Sequence, residues 1–177
     1  MAQDVLWISE REVASLGITM EEVIEAVETG WRLKGEGKVE MPAKIGIHPR
    51  KNCYIHAMPC WIGGDVDTCG LKWVSGFPEN LKKKMPYNIG LFILTDSDDG
   101  HMKAVMDANW ITTWRTGAAS GVIAKYLGPK DPSVVSIIGA GTQGRINLRA
   151  MMAVFPNLKA ANVYDPMGSQ VEGLKAQ

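Results

Sequence analysis

The chain has 177 residues, of which 46% are hydrophobic, enough to bury the core of one large domain or two small ones. Lys plus Arg and Asp plus Glu both number 19, so no excess charge favours nucleic acid or an anionic membrane surface as a partner. Three cysteines without a Cys-x-x-Cys pair or clustered histidines favour neither a disulfide framework nor a zinc site, and we expect reduced thiols, no metal and a cytoplasmic location.

No signal-like apolar core opens the chain, and no apolar run is long enough to cross a bilayer. The first elements are expected to be two helices. Ser9 begins a short helix that Gly17 ends, and Thr19 to Glu22 has the capping-box pattern of a hydroxyl followed by a carboxylate three residues later. An apolar stripe then marks one face of the second helix, which we expect to lie in the core. It comprises Met20, Val23, Ile24, Val27 and Trp31.

The pattern changes to strands between residues 39 and 107. Strands are predicted at 43–47, 53–58, 71–74, 88–94 and 102–106. Asp96 to Gly100 is a turn, so the last two strands form a hairpin, and residues 76–84 are predicted to be a loop with a solvated basic run. This pattern favours an antiparallel sheet packed on the N-terminal helices.

Residues 108–127 are predicted to form a helix with a break, ended by Gly128 and Pro129. The stretch from Thr116 to Gly121 consists of small residues, which allow a neighbouring backbone or a ligand to come close. Tight packing of the helix and binding of a ligand both remain open explanations.

A glycine motif follows the apolar, β-branched stretch 134–138, which is typical of a parallel strand buried on both faces. The motif is a complete G-x-G-x-x-G, formed by Gly139, Ala140, Gly141, Thr142, Gln143 and Gly144. A helical pattern and a second strand at 160–164 come next, and the strand ends at Asp165. Glycines at these positions permit a tight turn and close approach of a pyrophosphate to a helix N-terminus.

Asp165 lies about 20 residues beyond the last glycine, where a carboxylate accepts hydrogen bonds from the adenosine ribose. The sequence therefore predicts a dinucleotide site. NAD is expected rather than NADP, because a carboxylate at that position repels a 2′-phosphate. The alternative is a glycine-rich turn that binds nothing. The chain ends at Gln177 within a helical pattern, so we expect a fragment or a domain completed by another chain.

Several segments, in order and spacing, resemble the ornithine cyclodeaminase/mu-crystallin family, which includes bacterial and archaeal alanine dehydrogenases. They are Gly70-Leu71-Lys72-Trp73-Val74, Phe77-Pro78-Glu79-Asn80, Val105-Met106-Asp107, Arg115-Thr116-Gly117-Ala118-Ala119-Ser120 and the motif at 139–144. The resemblance implies an α/β fold: an N-terminal α+β substrate-binding and dimerisation domain with an antiparallel sheet (1–114), followed by the first part of an NAD(P)-binding Rossmann domain (115–177). It also implies a homodimer through the N-terminal sheet and family chains nearly twice as long.

The resemblance assigns roles to particular residues. Lys72 matches a lysine that faces the substrate and is the expected catalytic residue; Arg115 matches the arginine that grips the substrate carboxylate. Lys44 matches a basic residue that assists in holding it, and Thr116 stands where the cofactor phosphates come close. A guanidinium fork suits a carboxylate, and a lysine adds a compact charge.

Two departures from the family bear on activity. His56 stands where ornithine cyclodeaminases resemble one another in having a glutamate, and it is either a substrate contact or a satisfied histidine at a strand edge. The family's catalytic aspartate, beyond the second Rossmann strand, has no counterpart among these residues. The resemblance implies an NAD(P)-dependent oxidoreductase acting on an L-amino acid or its imine or ketimine. The alternatives are a non-enzymatic binder of small molecules and an ornithine cyclodeaminase that forms proline and releases ammonia.

Overall fold

Residues 4–175 are described by a computed structural model, and they divide into two units. One unit contains Gly30–Ile111 and the segment that ends at Gly17. The other contains Ile18–Thr29 and the segment from Thr112 onward. Helix α2 (Met20–Gly35) is therefore shared, its first half belonging with the C-terminal unit. The predicted domain boundary between residues 114 and 115 places all of that helix in the first domain.

The first unit is built on one sheet, and its described strands have the order β1-β7-β6-β5-β4-β2, with β3 paired to β4. All pairings are antiparallel except that of β1 with β7, so the predicted antiparallel sheet is confirmed. Its elements are β1 (Leu6–Ile8), α1 (Glu10–Ser15), β2 (Val39–Glu40), β3 (Ile45–Ile47), β4 (Tyr54–Ile62), β5 (Thr68–Gly76), β6 (Asn88–Thr95) and β7 (Met102–Asp107).

The local helix signals are confirmed. Ser9 and Glu12 form a capping box at the start of α1. At the start of α2, the backbone N–H of Thr19 donates to the Glu22 carboxylate and the backbone N–H of Glu22 donates to the Thr19 hydroxyl. The predicted loop at 76–84 is wrong in part, because Pro78–Lys83 forms a 3₁₀ helix. Proline presets the first helical φ angle, and Lys84 ends the helix in the left-handed conformation.

Helix α3 (Asn109–Leu127) is continuous, so the predicted break is wrong. The small residues serve close packing between helices. A side chain at Gly117 would meet the carbonyl oxygen of Ile146 at 2.8 Å, and one at Gly121 would meet Ile24 Cδ1 at 3.0 Å. Tight packing therefore accounts for both glycines.

The second unit also contains β8 (Val134–Ile138), α4 (Thr142–Val154), β9 (Ala160–Tyr164) and α5 (Gly168–Lys175), with β8 and β9 parallel. Its core joins α2, α3 and α4. The buried members are Met20, Ile24, Ala118, Val122, Ile146 and Ala150. No helix among the described residues is long and apolar enough to cross a bilayer.

Two burial predictions are wrong. Strand β8 is not buried on both faces: Ile138 is 88% exposed, whereas Val135 and Ile137, the alternate residues, are partly covered, and α4 packs against this strand. Trp31 is 44% exposed, because the second half of α2 belongs to the other unit and buries Leu33 instead.

Candidate cofactor and substrate sites

The glycine motif forms the connection between β8 and α4. The N–H of Gly139 donates to the carbonyl of Tyr164 at the end of β9, 2.7 Å away, and its φ of +95° suits only glycine. Gly141 is the N-cap of α4 and provides no side-chain cap. The N–H groups of the first turn of α4 therefore lack a side-chain acceptor from the cap residue, as an anion site requires.

The last two glycines of the motif have different physical roles. A Cβ atom at Gly144 would lie 1.8 Å from the carbonyl oxygen of Gly139, so the fold itself requires glycine there. A Cβ atom at Gly141 would meet nothing within 4 Å, and the φ of Gly141 is an ordinary −71°. Steric packing therefore does not require glycine at position 141, and the open space leaves room for a ligand to approach the turn.

Asp165 lies beside this turn because β8 and β9 are parallel and in register, with Ile138 opposite Tyr164. One carboxylate oxygen accepts from the N–H of Ala140 at 2.7 Å, and the other accepts from the N–H of Met167 at 2.8 Å. A carboxylate has about four lone-pair sites, so capacity remains for ribose hydroxyls. The structure thus brings Asp165 and residues 139–144 together.

The two predicted site residues of α3, Thr116 and Arg115, differ in whether their side chains already have hydrogen-bond partners. The Thr116 hydroxyl donates to the carbonyl of Thr112 at 2.7 Å, so its proton is engaged within the helix. The Arg115 side chain is exposed by surface area, although desolvation by surrounding atoms lowers the pKa of its guanidinium. An arginine remains charged after such a shift. No other described residue forms a hydrogen bond or ion pair with Arg115, so this cation is open to an anionic partner.

The remaining predicted substrate residues lie in the sheet unit. Lys72 on β5 is directly opposite Met58 on β4, and His56 is two residues from Met58 on the same strand. Because alternate strand residues share a face, Lys72 and His56 lie on one face of the sheet. Burial lowers the pKa of His56, and the positive charges of Lys44 and His48 lower it further. The lowered pKa favours the neutral imidazole at pH 7.

Sequence reasoning missed Arg145, which follows the third glycine directly. Its Nε donates to the carbonyl of Ala140 at 3.0 Å, and its two terminal nitrogens donate to carbonyls of Gln170 and Gly173 in α5. A basic residue next to the motif was the signal available, but nothing local indicates that its partners come from α5.

The chain is similar to known proteins in both sequence and fold. The sequence profile of the ornithine cyclodeaminase/mu-crystallin family matches residues 5–174. The alanine dehydrogenase of Archaeoglobus fulgidus is 41% identical over 162 residues, which is 92% of this chain and 48% of that protein.

Two solved structures have nearly the same fold. One is the Thermococcus litoralis Δ1-pyrroline-2-carboxylate reductase in complex with NADH and L-proline, with a TM-score of 0.91, 37% identity, and coverage of 98% of this chain and 53% of that one. The other is an archaeal alanine dehydrogenase dimer with bound NAD, with a TM-score of 0.90, 38% identity, and coverage of 97% and 52%. The chain thus spans about half the length of the relatives it matches. The profile match and these identities establish that the chain belongs to the ornithine cyclodeaminase/mu-crystallin family.

Proposed function

We propose that the protein is an NAD-dependent oxidoreductase that transfers hydride between an L-amino acid, or its imine or ketimine, and the nicotinamide. The observation that carries the proposal is the placement of Asp165 beside the glycine turn at the open N-terminus of α4. Membership of a family with NAD-binding amino-acid and imine enzymes supports it. Bound NAD would supply or accept the hydride, and the chain's residues would bind and orient the reactants.

NAD is proposed over NADP because of the charge at Asp165. The carboxylate already accepts two backbone N–H groups, which hold it at the end of β9. It would accept from the ribose hydroxyls and would repel a 2′-phosphate. The free thiols Cys53, Cys60 and Cys69 support our further proposal of a cytoplasmic location.

For the substrate we propose that Arg115 binds the α-carboxylate, since its guanidinium fork is charged and open to an anion. Lys44 is a further proposed substrate-binding residue. Lys72 would face the reacting carbon as the catalytic residue. Thr116 would contribute to the cofactor site through its hydroxyl oxygen or backbone, since its proton is used within α3.

A second copy of the chain is the proposed partner of the exposed sheet face. Trp73 is 47% exposed and lies opposite Leu91, which is also exposed, and Trp7 on β1 is 64% exposed. The register puts these three side chains on the face opposite to that of Lys72 and His56. Monomers rarely expose large apolar patches, and the archaeal alanine dehydrogenase is described as a dimer.

The test of activity uses the purified protein, NADH, and a panel of imines formed from 2-oxo acids with ammonia or amines, together with the matching amino acids and NAD. We expect NADH absorbance to change with at least one pair. Arg115→Lys should raise KM more than it lowers kcat, since a lysine cannot pair bidentately with the carboxylate. Binding of NADH without turnover of any substrate would favour the non-enzymatic binder.

A further inference from the structure

The backbone of Ala140, in the middle of the glycine turn, is held from both sides by charged side chains. This residue is fully buried. Its N–H donates to Asp165 at 2.7 Å, and its carbonyl accepts from Arg145 Nε at 3.0 Å. Hydrogen bonds to charged groups are about twice as strong as those between neutral groups, so this peptide is firmly oriented.

Arg145 also connects the turn to the helix that follows Asp165. Its terminal nitrogens donate to the carbonyls of Gly173 at 2.8 Å and Gln170 at 3.1 Å, both in α5. A Cβ atom at Gly173 would lie 2.8 Å from one of these nitrogens, so the guanidinium lies close against the helix backbone. All three kinds of nitrogen in the side chain are therefore used, each toward a different carbonyl.

We infer that Arg145 is a positioning residue for the dinucleotide: it fixes the glycine turn relative to α5 through three carbonyl contacts. This inference rests on the proposed function. The N–H groups of the turn bind a pyrophosphate well only if their directions are set before the ligand arrives. A lysine in place of Arg145 would keep the charge but has one ammonium, which cannot occupy three separated positions.

Positioning by Arg145 differs from simple attraction between a cation and a pyrophosphate. If charge alone mattered, Arg149 would serve as well, because it lies one turn later on α4. Arg149 is exposed and forms no hydrogen bond or ion pair with another residue in the described part of the chain. It is the matched control.

The experiment compares Arg145→Met, Arg145→Lys and Arg149→Met in the protein, by titration with NADH followed through tryptophan fluorescence. Removing charge-assisted hydrogen bonds should raise the NADH dissociation constant of Arg145→Met about 10- to 100-fold. Arg145→Lys should lose nearly as much affinity, whereas Arg149→Met should stay within about twofold of the parent. Hydrogen exchange at the Ala140 amide, measured without ligand, should accelerate in both Arg145 variants and in neither the parent nor Arg149→Met.

Parental NADH affinity in Arg145→Met would overturn the inference and leave the proposed function intact. Parental affinity in Arg145→Lys alone would also overturn it, because charge would then suffice. Should Arg145→Met fail to fold, the lysine variant decides, since it keeps length and charge. If the parent binds neither NADH nor NADPH, the proposed function fails and the inference with it, even where Ala140 exchange responds.

Discussion

The imidazole of His56 is stacked on the phenol ring of Tyr54, with 4.4 Å between the ring centroids and 18° between the ring planes. The ring also lies over β3: a Cβ atom at Gly46 would come within 2.3 Å of His56 Cδ2. The side chain is therefore held on the sheet face that also carries Lys72. Because its pKa is lowered, it offers a neutral ring where a carboxylate would attract a second ammonium group.

We expect the protein to prefer alanine-like or apolar amino acids, or their imines, to ornithine. A distal ammonium that leaves water without an anionic partner costs about 2–5 kcal/mol, more than a tenfold change in preference. His56→Glu should shift the preference toward ornithine, as measured by NADH absorbance across a substrate panel. The control is His101→Glu, which makes the same substitution in the turn between β6 and β7. A parent that prefers ornithine, or an unchanged preference in His56→Glu, would make His56 a structural residue.

Asp165 should decide the choice of nucleotide. We expect the parent to bind NADH more tightly than NADPH, and Asp165→Asn to lower that ratio about tenfold by removing the charge that repels the 2′-phosphate. NADH affinity should also fall, because an amide cannot accept from both Ala140 and Met167. Glu172→Gln, an equal charge change in α5, should leave the ratio unaltered. Tighter binding of NADPH by the parent would contradict the prediction.

Two glycine substitutions should separate folding from cofactor binding. Gly144→Ala forces a Cβ atom against the Gly139 carbonyl, so we expect a stability loss of about 1–3 kcal/mol or more in chemical denaturation. Gly141→Ala has open space and an ordinary φ and loses only the N-cap preference for glycine, so its free energy of unfolding should change by less than about 1 kcal/mol while NADH affinity falls at least tenfold. Normal NADH binding by Gly141→Ala would show that the pyrophosphate does not bind next to Gly141.

The exposed sheet face should be a dimer interface. Trp73→Glu puts a charge at the middle of that face and should convert a dimer to a monomer in sedimentation velocity. Leu81→Glu, at a leucine of the 3₁₀ helix that is 64% exposed, is the control and should leave the dimer intact. A monomeric parent, or a Trp73→Glu protein that still dimerises, would exclude this face.

Stability of the second unit should depend on pH through Glu28. Hydrogen bonds from Lys125 and Tyr126 lower the pKa of Glu28 from its ordinary 4.5. A lowered carboxyl pKa stabilises the fold above the unfolded-state value and loses that contribution as pH falls through the folded-state value. Glu28→Gln should therefore melt below the parent at pH 7, and the two midpoints should converge in acid below pH 4.5. If the difference between the two melting midpoints stays the same in acid, the effect of Glu28→Gln comes from packing and not from the charge of Glu28.

Local features could be predicted from the sequence because their partners lie within a few residues. The capping boxes at Ser9 and Thr19, the hairpin turn at Asp96, and the strand, glycine turn and helix from 134 onward depend on short-range hydrogen bonds and backbone freedom. The prediction of a nucleotide site rests on the same stretch, since the glycines and Asp165 belong to one β-α-β unit.

Only the tertiary structure decided which of these residues serve folding and which are left for a ligand. Gly117 is required by the backbone of Ile146 in α4, and Gly144 by the Gly139 carbonyl of its own turn, while no atom lies within 4 Å of a Cβ at Gly141. Arg145 donates to a carbonyl of α5, and β1 pairs with β7 although the two strands are far apart in the sequence. Such contacts depend on how separate elements pack, and hydrophobic pattern alone does not encode them, since burial is nondirectional. The same reason explains Trp31: its helical stripe predicted burial, but the division of α2 between two units buries Leu33 instead.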